Sequence, residues 1–410
     1  MKEFSLLTYE IVKAIHKADF SAPTPIQSKV IPLVIEGRDI IAQAQTGSGK
    51  SGSFIFPTLE LISRRKTEGK AKIKALILTP TRELTKQIAD DYIRFGEFLD
   101  PRLKVVSIIG GESIGEQLMQ IQQGCDIVVA TSGRLIDVLS KKQMSLTHLE
   151  FFVLDEADKM LSEGFGDELD LILASIPAKR QNLLFSATYP PKLEQFVSKI
   201  TQSGVEVSVE NEAPTVKKIT QRAIEVNAEN RTPLLKHLLK TQKLGQVLVF
   251  MANKRSCDNI ANKFHKLRIG AQSFHGDLTQ EERSETLADF KSKKTQILFA
   301  TDLFGRGLDV VDIATVINYD LPRSPEEYIH RIGRTARAGK SGVAISFIGL
   351  EDDEHFRLIE KRANISLDRE RIEGFERIGV SQPKPKGNAP IKGKRKSKKD
   401  KLREQKKGHL

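Results

Sequence analysis

The sequence has little of what marks extracellular, zinc-bound or membrane-embedded proteins. Its only two cysteines, Cys125 and Cys257, stand far apart and lack the paired spacing of a metal site. No stretch approaches the roughly 18 apolar residues of a membrane span, and Glu3 and Glu10 interrupt the apolar core that a signal peptide needs. We therefore expect a protein of the reducing cytoplasm, without disulfides.

Net charge is almost absent from the body of the chain. The 410 residues carry a formal charge of +12, but residues 383–410 contain twelve Lys or Arg against Asp400 and Glu404, which leaves +2 for residues 1–382. Apolar residues are also nearly absent from this last stretch. We predict a disordered basic tail there, which would attract anions.

Short β-branched runs alternate with longer amphipathic stretches, which is typical of parallel strands joined by crossover helices. The runs are residues 74–78, 105–109, 126–130, 151–154 and 182–185, then 247–250, 296–300, 315–317 and 343–347. We predict an α/β protein of two tandem domains, residues 1–208 and 219–382, each a parallel sheet covered by helices. Residues 209–218 lack an apolar period and would form the linker.

A glycine-rich loop lies between the apolar run at residues 40–42 and a helical pattern at residues 52–64, an arrangement typical of phosphate-binding loops. Backbone N–H groups of its small residues can turn toward phosphates, and the helix N-terminus adds its positive dipole end. The loop residues concerned are Thr46, Gly47, Ser48 and Gly49. Lys50 would neutralise phosphate charge, and Ser51 would bind Mg²⁺. Ala44 stands where the general motif has glycine, and an ordinary flexible turn is the alternative.

Two acidic side chains follow the buried run at residues 151–154. Open parallel sheets bind ligands at the edge where strands end, so Asp155 and Glu156 would face phosphates bound near Lys50. Asp155 would hold Mg²⁺ through water, and Glu156 would orient or deprotonate the attacking water. Acidic residues after a strand also serve as helix caps, but their combination with Lys50 favours a nucleotide-hydrolysing site.

The tetrapeptide Asp-Glu-Ala-Asp at residues 155–158, with the motifs around it, resembles the DEAD-box ATP-dependent RNA helicases. The resemblance extends from Phe4 to about Phe347, with the motifs in the family's order. It implies two RecA-like domains that close on ATP, Mg²⁺ and single-stranded RNA, hydrolyse the ATP, and open short duplexes locally. The short basic tail is similar to that of compact bacterial members.

Upstream of the loop, Phe20 and the Pro-Thr-Pro-Ile-Gln stretch at residues 23–27 resemble the family's adenine-reading element. In that role Gln27 would hydrogen-bond the adenine edge and Phe20 would stack on the ring, which explains a preference for ATP over GTP. Without the other motifs, the stretch would be a turn that leads into a helix.

Further motifs resemble the family's RNA-contacting segments, and several lie just beyond an apolar run. The residues that would contact RNA are Arg82, Gly111, Thr131, Arg134, Gly276 and Thr301. Ser132 replaces the proline that is usual in the family. Ser186 and Thr188 resemble the motif that couples ATP binding to strand separation, although alone they would be a strand-end turn.

The second half carries residues that would complete the nucleotide site. By resemblance, Asp309 would contact the ribose of ATP. The resemblance also implies that Arg334 and Arg337 act as arginine fingers toward the transferring phosphoryl group. Their spacing of three would place both on one face if the stretch is helical. His330 belongs to the same motif and would couple the ATP and RNA sites. A solvated basic helix with a structural histidine is the alternative interpretation.

Because neither half holds a complete site, hydrolysis would require domain closure, and ATP and RNA would raise each other's affinity. The expected RNA contacts are mainly to the backbone, with the 2′-OH as the discriminator against DNA. An ATP-gated RNA clamp and an RNA chaperone that uses the basic tail stay open as alternatives, while the motifs disfavour a processive DNA translocase. The expected setting is a cytoplasmic monomer with ribosomal or RNA-degradation partners.

Overall fold

Two seven-stranded sheets form the framework of the chain. The computed structural model describes residues 4–44, 48–65, 70–201, 203–209, 219–302, 313–336 and 341–379. Every strand pair within these ranges is parallel, which confirms the predicted α/β class with two helix-covered parallel sheets. Residues 210–218 of the predicted linker and the predicted tail at 383–410 lie outside the described ranges, so the domain boundaries stay predictions.

The first sheet uses strands from the first half of the sequence. They are β1 (Ile40–Gln43), β2 (Ala75–Leu78), β3 (Val105–Ile108), β4 (Ile127–Ala130), β5 (Phe151–Leu154), β6 (Gln181–Ser186) and β7 (Val205–Ser208), in the order β3-β4-β2-β5-β6-β1-β7. The helices are α1 (Tyr9–Lys17), α2 (Pro25–Ile35), α3 (Lys50–Ser63), α4 (Arg82–Phe95), α5 (Ile114–Gln122), α6 (Ser132–Ser140), α7 (Ala157–Ser162), α8 (Gly166–Leu173) and α9 (Pro191–Ile200).

Helices cover both faces of this sheet because its central strands are apolar on both sides. In β5, Phe151 and Val153 belong to one buried cluster, and Phe152 and Leu154 belong to the other. Successive side chains of a strand point to opposite faces, so one apolar run contributes to the buried clusters on both faces of the sheet. The polar residues that follow such strands are left at the open carboxyl edge of the sheet.

The second sheet repeats this plan. Its strands are β8 (Ile219–Glu225), β9 (Val247–Phe250), β10 (Ala271–Phe274), β11 (Ile297–Ala300), β12 (Thr315–Asn318), β13 (Gly342–Ile348) and β14 (Arg369–Glu370), in the order β10-β11-β9-β12-β13-β8-β14. The helices are α10 (Arg231–Thr241), α11 (Lys254–Lys266), α12 (Gln280–Lys291), α13 (Pro325–Ile332) and α14 (Asp353–Ala363).

The element boundaries depart slightly from the sequence-based ranges. Helix α3 begins at Lys50 rather than at residue 52, so the loop lysine occupies the first turn of the helix. The sequence-based runs also omit β7, β8, β10 and β14. Within the described ranges, no helix is both long enough and apolar enough to cross a membrane.

Arg331 holds helix α13 over the carboxyl edge of the second sheet, and it is only 1% exposed. Its guanidinium donates hydrogen bonds of 2.5 and 2.8 Å to Asp302, one of 3.1 Å to Asn318 Oδ1 and one of 2.6 Å to the Asp320 carbonyl. It also lies 4.9 Å from the centre of the Phe250 ring. Because these partners lie at or just beyond the ends of β9, β11 and β12, one side chain ties the helix to three strands.

Removing this guanidinium should destabilise the protein. We expect Arg331→Leu to lower the free energy of unfolding by about 3–5 kcal/mol, because Asp302 and Asn318 lose a buried partner. The control is Arg371→Leu, which removes an arginine side chain that is 75% exposed and should change stability by about 0–1 kcal/mol. Urea unfolding measures both variants. Equal unfolding midpoints for the two would contradict this role of Arg331.

Candidate active site

The predicted phosphate-binding loop ends at the start of α3. Lys50 is buried, and its Nζ donates a 2.6 Å hydrogen bond to the carbonyl of Ala44, the residue after β1. Gly49 precedes the helix with φ 90°, and a Cβ there would lie 2.7 Å from Thr24 Oγ1, so conformation and space both require glycine. The amine of Lys50 is therefore held at the carboxyl end of β1, in the part of the sheet that also contains β6 and β5.

Asp155 and Glu156 occupy the tight turn between β5 and α7. The backbone of Glu156 is left-handed (φ 52°, ψ 46°), and its N–H donates a 2.9 Å hydrogen bond to Asp155 Oδ1. This conformation is uncommon for a residue with a side chain and is found where the surrounding structure enforces it, often at functional sites. The Glu156 carboxylate accepts a 2.5 Å hydrogen bond from Lys159 Nζ. All three side chains are buried.

Burial and neighbouring charges together set the ionisation of the two acids. Burial raises the pKa of Asp155 to about 6, and the positive charge of Lys50 works against this rise. Burial also acts to raise the pKa of Glu156. The charges of Lys159, Lys50 and Arg334 outweigh that effect and hold the pKa of this carboxyl below its ordinary value. Both acids are therefore mainly ionised at neutral pH.

The donor set at this edge fits Mg²⁺. Within the parts of the chain that the structure describes, no group of three or more His, Cys, Asp or Glu could hold a metal by itself. Mg²⁺ does not require such a group, because it commonly binds through one or two carboxylates, water and substrate phosphates. The buried carboxylate of Asp155 lies close enough to Lys50 for their charges to interact, and Ser51 is the next residue of α3. These residues match a cation that arrives with a nucleotide.

The last aspartate of the tetrapeptide joins the end of β5 to the end of β6. Asp158 Oδ2 accepts hydrogen bonds from the backbone N–H (3.0 Å) and the hydroxyl (2.7 Å) of Thr188. The Ser186 hydroxyl donates a 2.6 Å hydrogen bond to the Thr188 carbonyl. The residues predicted to couple ATP binding to strand separation are thus linked directly to the acidic turn.

A cavity of about 530 Å³ lies beside this link and is lined from both halves of the chain. Asp158, Lys159 and Thr188 contribute from the first half, and Glu327 and His330 contribute from the second. His330, which was placed in a coupling motif on sequence grounds, is buried at this junction. The two halves therefore face each other across the acidic turn.

Arg334 approaches the acid pair from the second half. It lies buried in the turn after α13, its Nε donates a 3.3 Å hydrogen bond to the His330 carbonyl, and its charge lowers the pKa of Glu156. Arg334 and Arg337 were expected to share a face only if this stretch is helical, but α13 ends at Ile332, before Arg334, and Arg337 lies outside the described residues. Arg334 reaches the site from a turn, not from a helix.

Two of the predicted RNA-contacting residues of the first half, Arg82 and Gly111, also lie against the second half. Arg82 begins α4, packs against Gly111 (φ 80°) and donates a 3.4 Å hydrogen bond to Gln280 of α12. Beside it, Arg283 of α12 forms a 3.3 Å ion pair with Glu83. Side chains of α4 and α12 therefore join the two halves on the side where the RNA contacts are predicted.

The other residues predicted to contact RNA lie just after strands or in the helix that follows one. Thr131 lies between β4 and α6, and both terminal nitrogens of Arg134 donate to the carbonyl of Glu112 at 3.4 Å. Gly276 follows β10 and Thr301 follows β11. Because carboxyl ends of parallel strands share one edge, these groups lie along the edges of the two sheets.

The predicted adenine-reading element packs against the phosphate loop. Gln27 accepts a 3.0 Å hydrogen bond from the Thr24 N–H and donates one of 3.0 Å to the Gly49 carbonyl. Phe20 is 46% exposed, with its ring centre 6.2 Å from that of Phe95. The carboxamide of Gln27 is thus held against the end of the loop, and the ring of Phe20 is partly exposed to solvent.

Some predicted residues lie outside the described ranges, and some contacts were not predicted. The predicted residues outside these ranges are Thr46, Gly47, Asp309 and Arg337. The unpredicted contacts are those of Lys159 with Glu156, Asp158 with Thr188, and Arg283 with Glu83. A spacing of three on a helix was a usable signal for Lys159. No local pattern points to the pair of Arg283 with Glu83, whose partners lie in different halves.

Both halves of the chain match family models of helicases. Residues 24–196 match the DEAD/DEAH box helicase model, and residues 230–339 match that of the helicase conserved C-terminal domain. The chain is 37% identical over 383 residues to the DEAD-box ATP-dependent RNA helicase CshA of Bacillus subtilis, covering 92% of this chain and 76% of that protein. Identity to the DEAD-box ATP-dependent RNA helicase 14 of Arabidopsis thaliana is 40% over 349 residues, so this chain spans 56% of the plant protein.

Solved structures agree with these matches. S. cerevisiae Dbp5 bound to RNA and ADP BeF3 has a TM-score of 0.81 at 30% identity, covering 90% of this chain and 96% of that one. Mss116p bound to ssRNA and AMP-PNP has a TM-score of 0.82 at 30% identity, covering 90% of this chain and 78% of that one. The chain belongs to the family of DEAD-box ATP-dependent RNA helicases.

The pair of Lys159 with Glu156 predicts a pH effect. We expect Lys159→Met to move the acidic limb of the kcat/KM profile for ATP hydrolysis to higher pH by about 1 unit or more. The substitution removes a charge that lowers the pKa of Glu156 and also acts to lower that of Asp155. Both acids would then take up protons at a higher pH as the pH falls.

Lys159→Arg is the matched control, because it keeps the charge and should keep the acidic limb in place. The profiles are measured at saturating RNA. An acidic limb that is the same in Lys159→Met, Lys159→Arg and the unmodified protein would contradict the proposed electrostatic role of Lys159.

Proposed function

We propose that this chain is an RNA-stimulated ATPase that opens short RNA duplexes or remodels RNA–protein complexes. The observation that carries the proposal is the position of Arg334. This arginine belongs to the second half, and its charge lowers the pKa of Glu156 in the first half. A site shared in this way depends on closure of the two halves. Solved relatives of similar fold bound to RNA support RNA as the ligand that favours closure.

In this proposal, ATP binds with its phosphates at the N-terminus of α3, where Lys50 neutralises part of their charge. Ser51 and Asp155 hold Mg²⁺, which supplies further positive charge to the phosphates when it is bound. Phe20 stacks on the adenine. Gln27 reads the adenine edge, exchanging its present backbone partners for the base.

Glu156 is proposed to orient the attacking water and to accept its proton. Its carboxylate is held by Lys159 and would have to turn at least one oxygen toward the water. Arg334 stabilises the charge that develops on the transferring phosphoryl group. The roles of Arg337 as a second finger and of Asp309 at the ribose rest on the motifs alone.

RNA is proposed to run along the edges of both sheets, contacting backbone-binding residues of each half. The proposed contacts are Arg82, Gly111, Thr131, Arg134, Gly276 and Thr301. Because RNA would then bind the closed arrangement best, it raises the affinity for ATP and is itself held more tightly. Thr188 is linked to Asp158 and to Ser186, and His330 lines the cavity beside them; Ser186, Thr188 and His330 are proposed to transmit this coupling.

We place this activity in a cytoplasmic monomer that acts in ribosome assembly or RNA turnover. The support is the setting usual in the family and the basic tail, which would tether RNA without a fold of its own. Protein partners from the ribosome or from RNA degradation fit the same setting.

Glu156→Gln tests the proposal. The substitution keeps size and hydrogen bonding but removes the carboxylate, so ATP should still bind while turnover falls by about 10²-fold or more. RNA should then be trapped with ATP in a slowly dissociating complex, which RNA release after a competitor chase measures. The control is Glu163→Gln, which alters an exposed glutamate just after α7. Unchanged steady-state hydrolysis by Glu156→Gln would refute the assignment.

A further inference from the structure

A second cavity, of about 600 Å³, lies on the surface of the second half between α10 and α11. Lys236 and Lys240 line it from α10, and Lys263 and Lys266 line it from α11. Phe264, which is fully buried, forms part of its base. We call this feature the lysine groove. None of its residues belongs to the nucleotide or RNA motifs.

The charge of the lysine groove is strongly one-sided. Helices α10 and α11 together carry seven Lys or Arg and one acid, Asp258. That acid is engaged elsewhere, with Ser273 and His275. Among the described residues, no side chain forms an ion pair with any of the four groove lysines. Like charges held close together repel one another, so an anionic ligand would relieve a standing electrostatic cost.

The lysine groove also offers apolar surface. Leu267 is 47% exposed and Pro233 is exposed at the opposite wall. A centre of apolar side chains ringed by charge is the arrangement of a protein–protein interface, where an apolar anchor enters a pocket and polar groups form the rim. The occupant should therefore present an apolar side chain with acidic residues beside it.

RNA is a poor match for this surface. No arginine lines the groove, the ring of Phe264 is buried, and the half-buried ring of His237 already packs beside that of Phe375, so little aromatic surface is left for stacking of bases. The groove residues of α11 lie at its end, which leads into β10, whereas the predicted RNA contact Gly276 lies at the opposite end of that strand. The groove is therefore separate from the proposed RNA path.

The basic tail is an equally poor match. The ring of His237 lies 5.2 Å from that of Phe375, so the last described segment already packs beside the groove. The residues that follow, 383–410, carry twelve Lys or Arg against two acids. Four lysines would repel such a segment.

We propose that the lysine groove docks an acidic segment of a partner protein, with one apolar side chain against Leu267 and Pro233 and flanking Asp or Glu on the four lysines. Docking on this surface leaves the cleft between the halves open. The partner can therefore hold the enzyme without blocking ATP or RNA, and the proposal stands independently of the ATPase assignment.

The test begins with a phage-displayed library of short random peptides, selected on the full chain and counter-selected on Lys236→Glu/Lys263→Glu. Clones with Asp or Glu around an aliphatic or aromatic residue should be enriched. A synthetic peptide from such a clone should bind the double variant about tenfold or more weakly, since two attractions become repulsions. Absence of acidic–apolar clones, or equal affinity for both proteins, would overturn the proposal.

The matched control is Lys192→Glu/Lys361→Glu, which reverses two exposed lysines outside the groove and should leave peptide affinity unchanged. Lys236→Gln/Lys263→Gln removes the charges without reversing them and should give an intermediate loss of peptide affinity. It replaces the reversed variant if that variant does not fold. RNA-stimulated ATPase should be the same in all variants. If the groove variants instead lose affinity for a single-stranded RNA oligonucleotide, or lose a dimer seen by sedimentation, the occupant is RNA or a second copy and the proposal fails.

Discussion

Two buried carboxylates at one edge of a parallel sheet are the constraint on which the rest of this structure depends. Burial raises the pKa of Asp155, and Glu156 is ionised because positive side chains surround it. Buried charge persists only where it is paired. Lys50 and Lys159 supply part of the pairing from the same half, and Arg334 supplies a further part from the other half. The relative position of the two halves is therefore part of the electrostatics of the site.

The second half is built to present that cation. Arg331 fixes α13 to the ends of three strands, and Arg334 follows in the turn after the helix. On the neighbouring part of the interface, Gln280 and Arg283 of α12 contact Arg82 and Glu83. We propose that ligands that change these contacts also change the position of Arg334, which would connect RNA binding to hydrolysis.

Central strands and local motifs could be predicted from the sequence because their signals are continuous. Strands such as β5 and β9 are buried on both faces and read as unbroken apolar runs. Strands β7, β10 and β14 lie at the edges of the sheets and are partly exposed, so they have no such run. In β8, Gln221 and Arg222 are accommodated by distant partners, Tyr328 and Glu370, which no local pattern reveals.

The same limit applies to the site. The motif residues around Lys50 and Glu156 follow from local spacing. The end of α13 at Ile332 does not, so the sequence left open whether Arg334 lies on a helix. The backbone of Ala336 is left-handed (φ 55°), a conformation that glycine adopts more readily than alanine. Ser132 is accommodated in place of proline as the first residue of α6, with its hydroxyl hydrogen-bonded to Glu168.

The dependence of the site on both halves can be measured as a coupling free energy between nucleotide and RNA. The affinity for a non-hydrolysable ATP analogue is determined with and without RNA, and the affinity for RNA is determined with and without the analogue. In the unmodified protein the two ratios should be equal, at about 5–150-fold. In Arg334→Ala both ratios should fall toward one, with RNA affinity in the absence of nucleotide unchanged. Coupling of undiminished size in Arg334→Ala would contradict a nucleotide site that is completed from the second half.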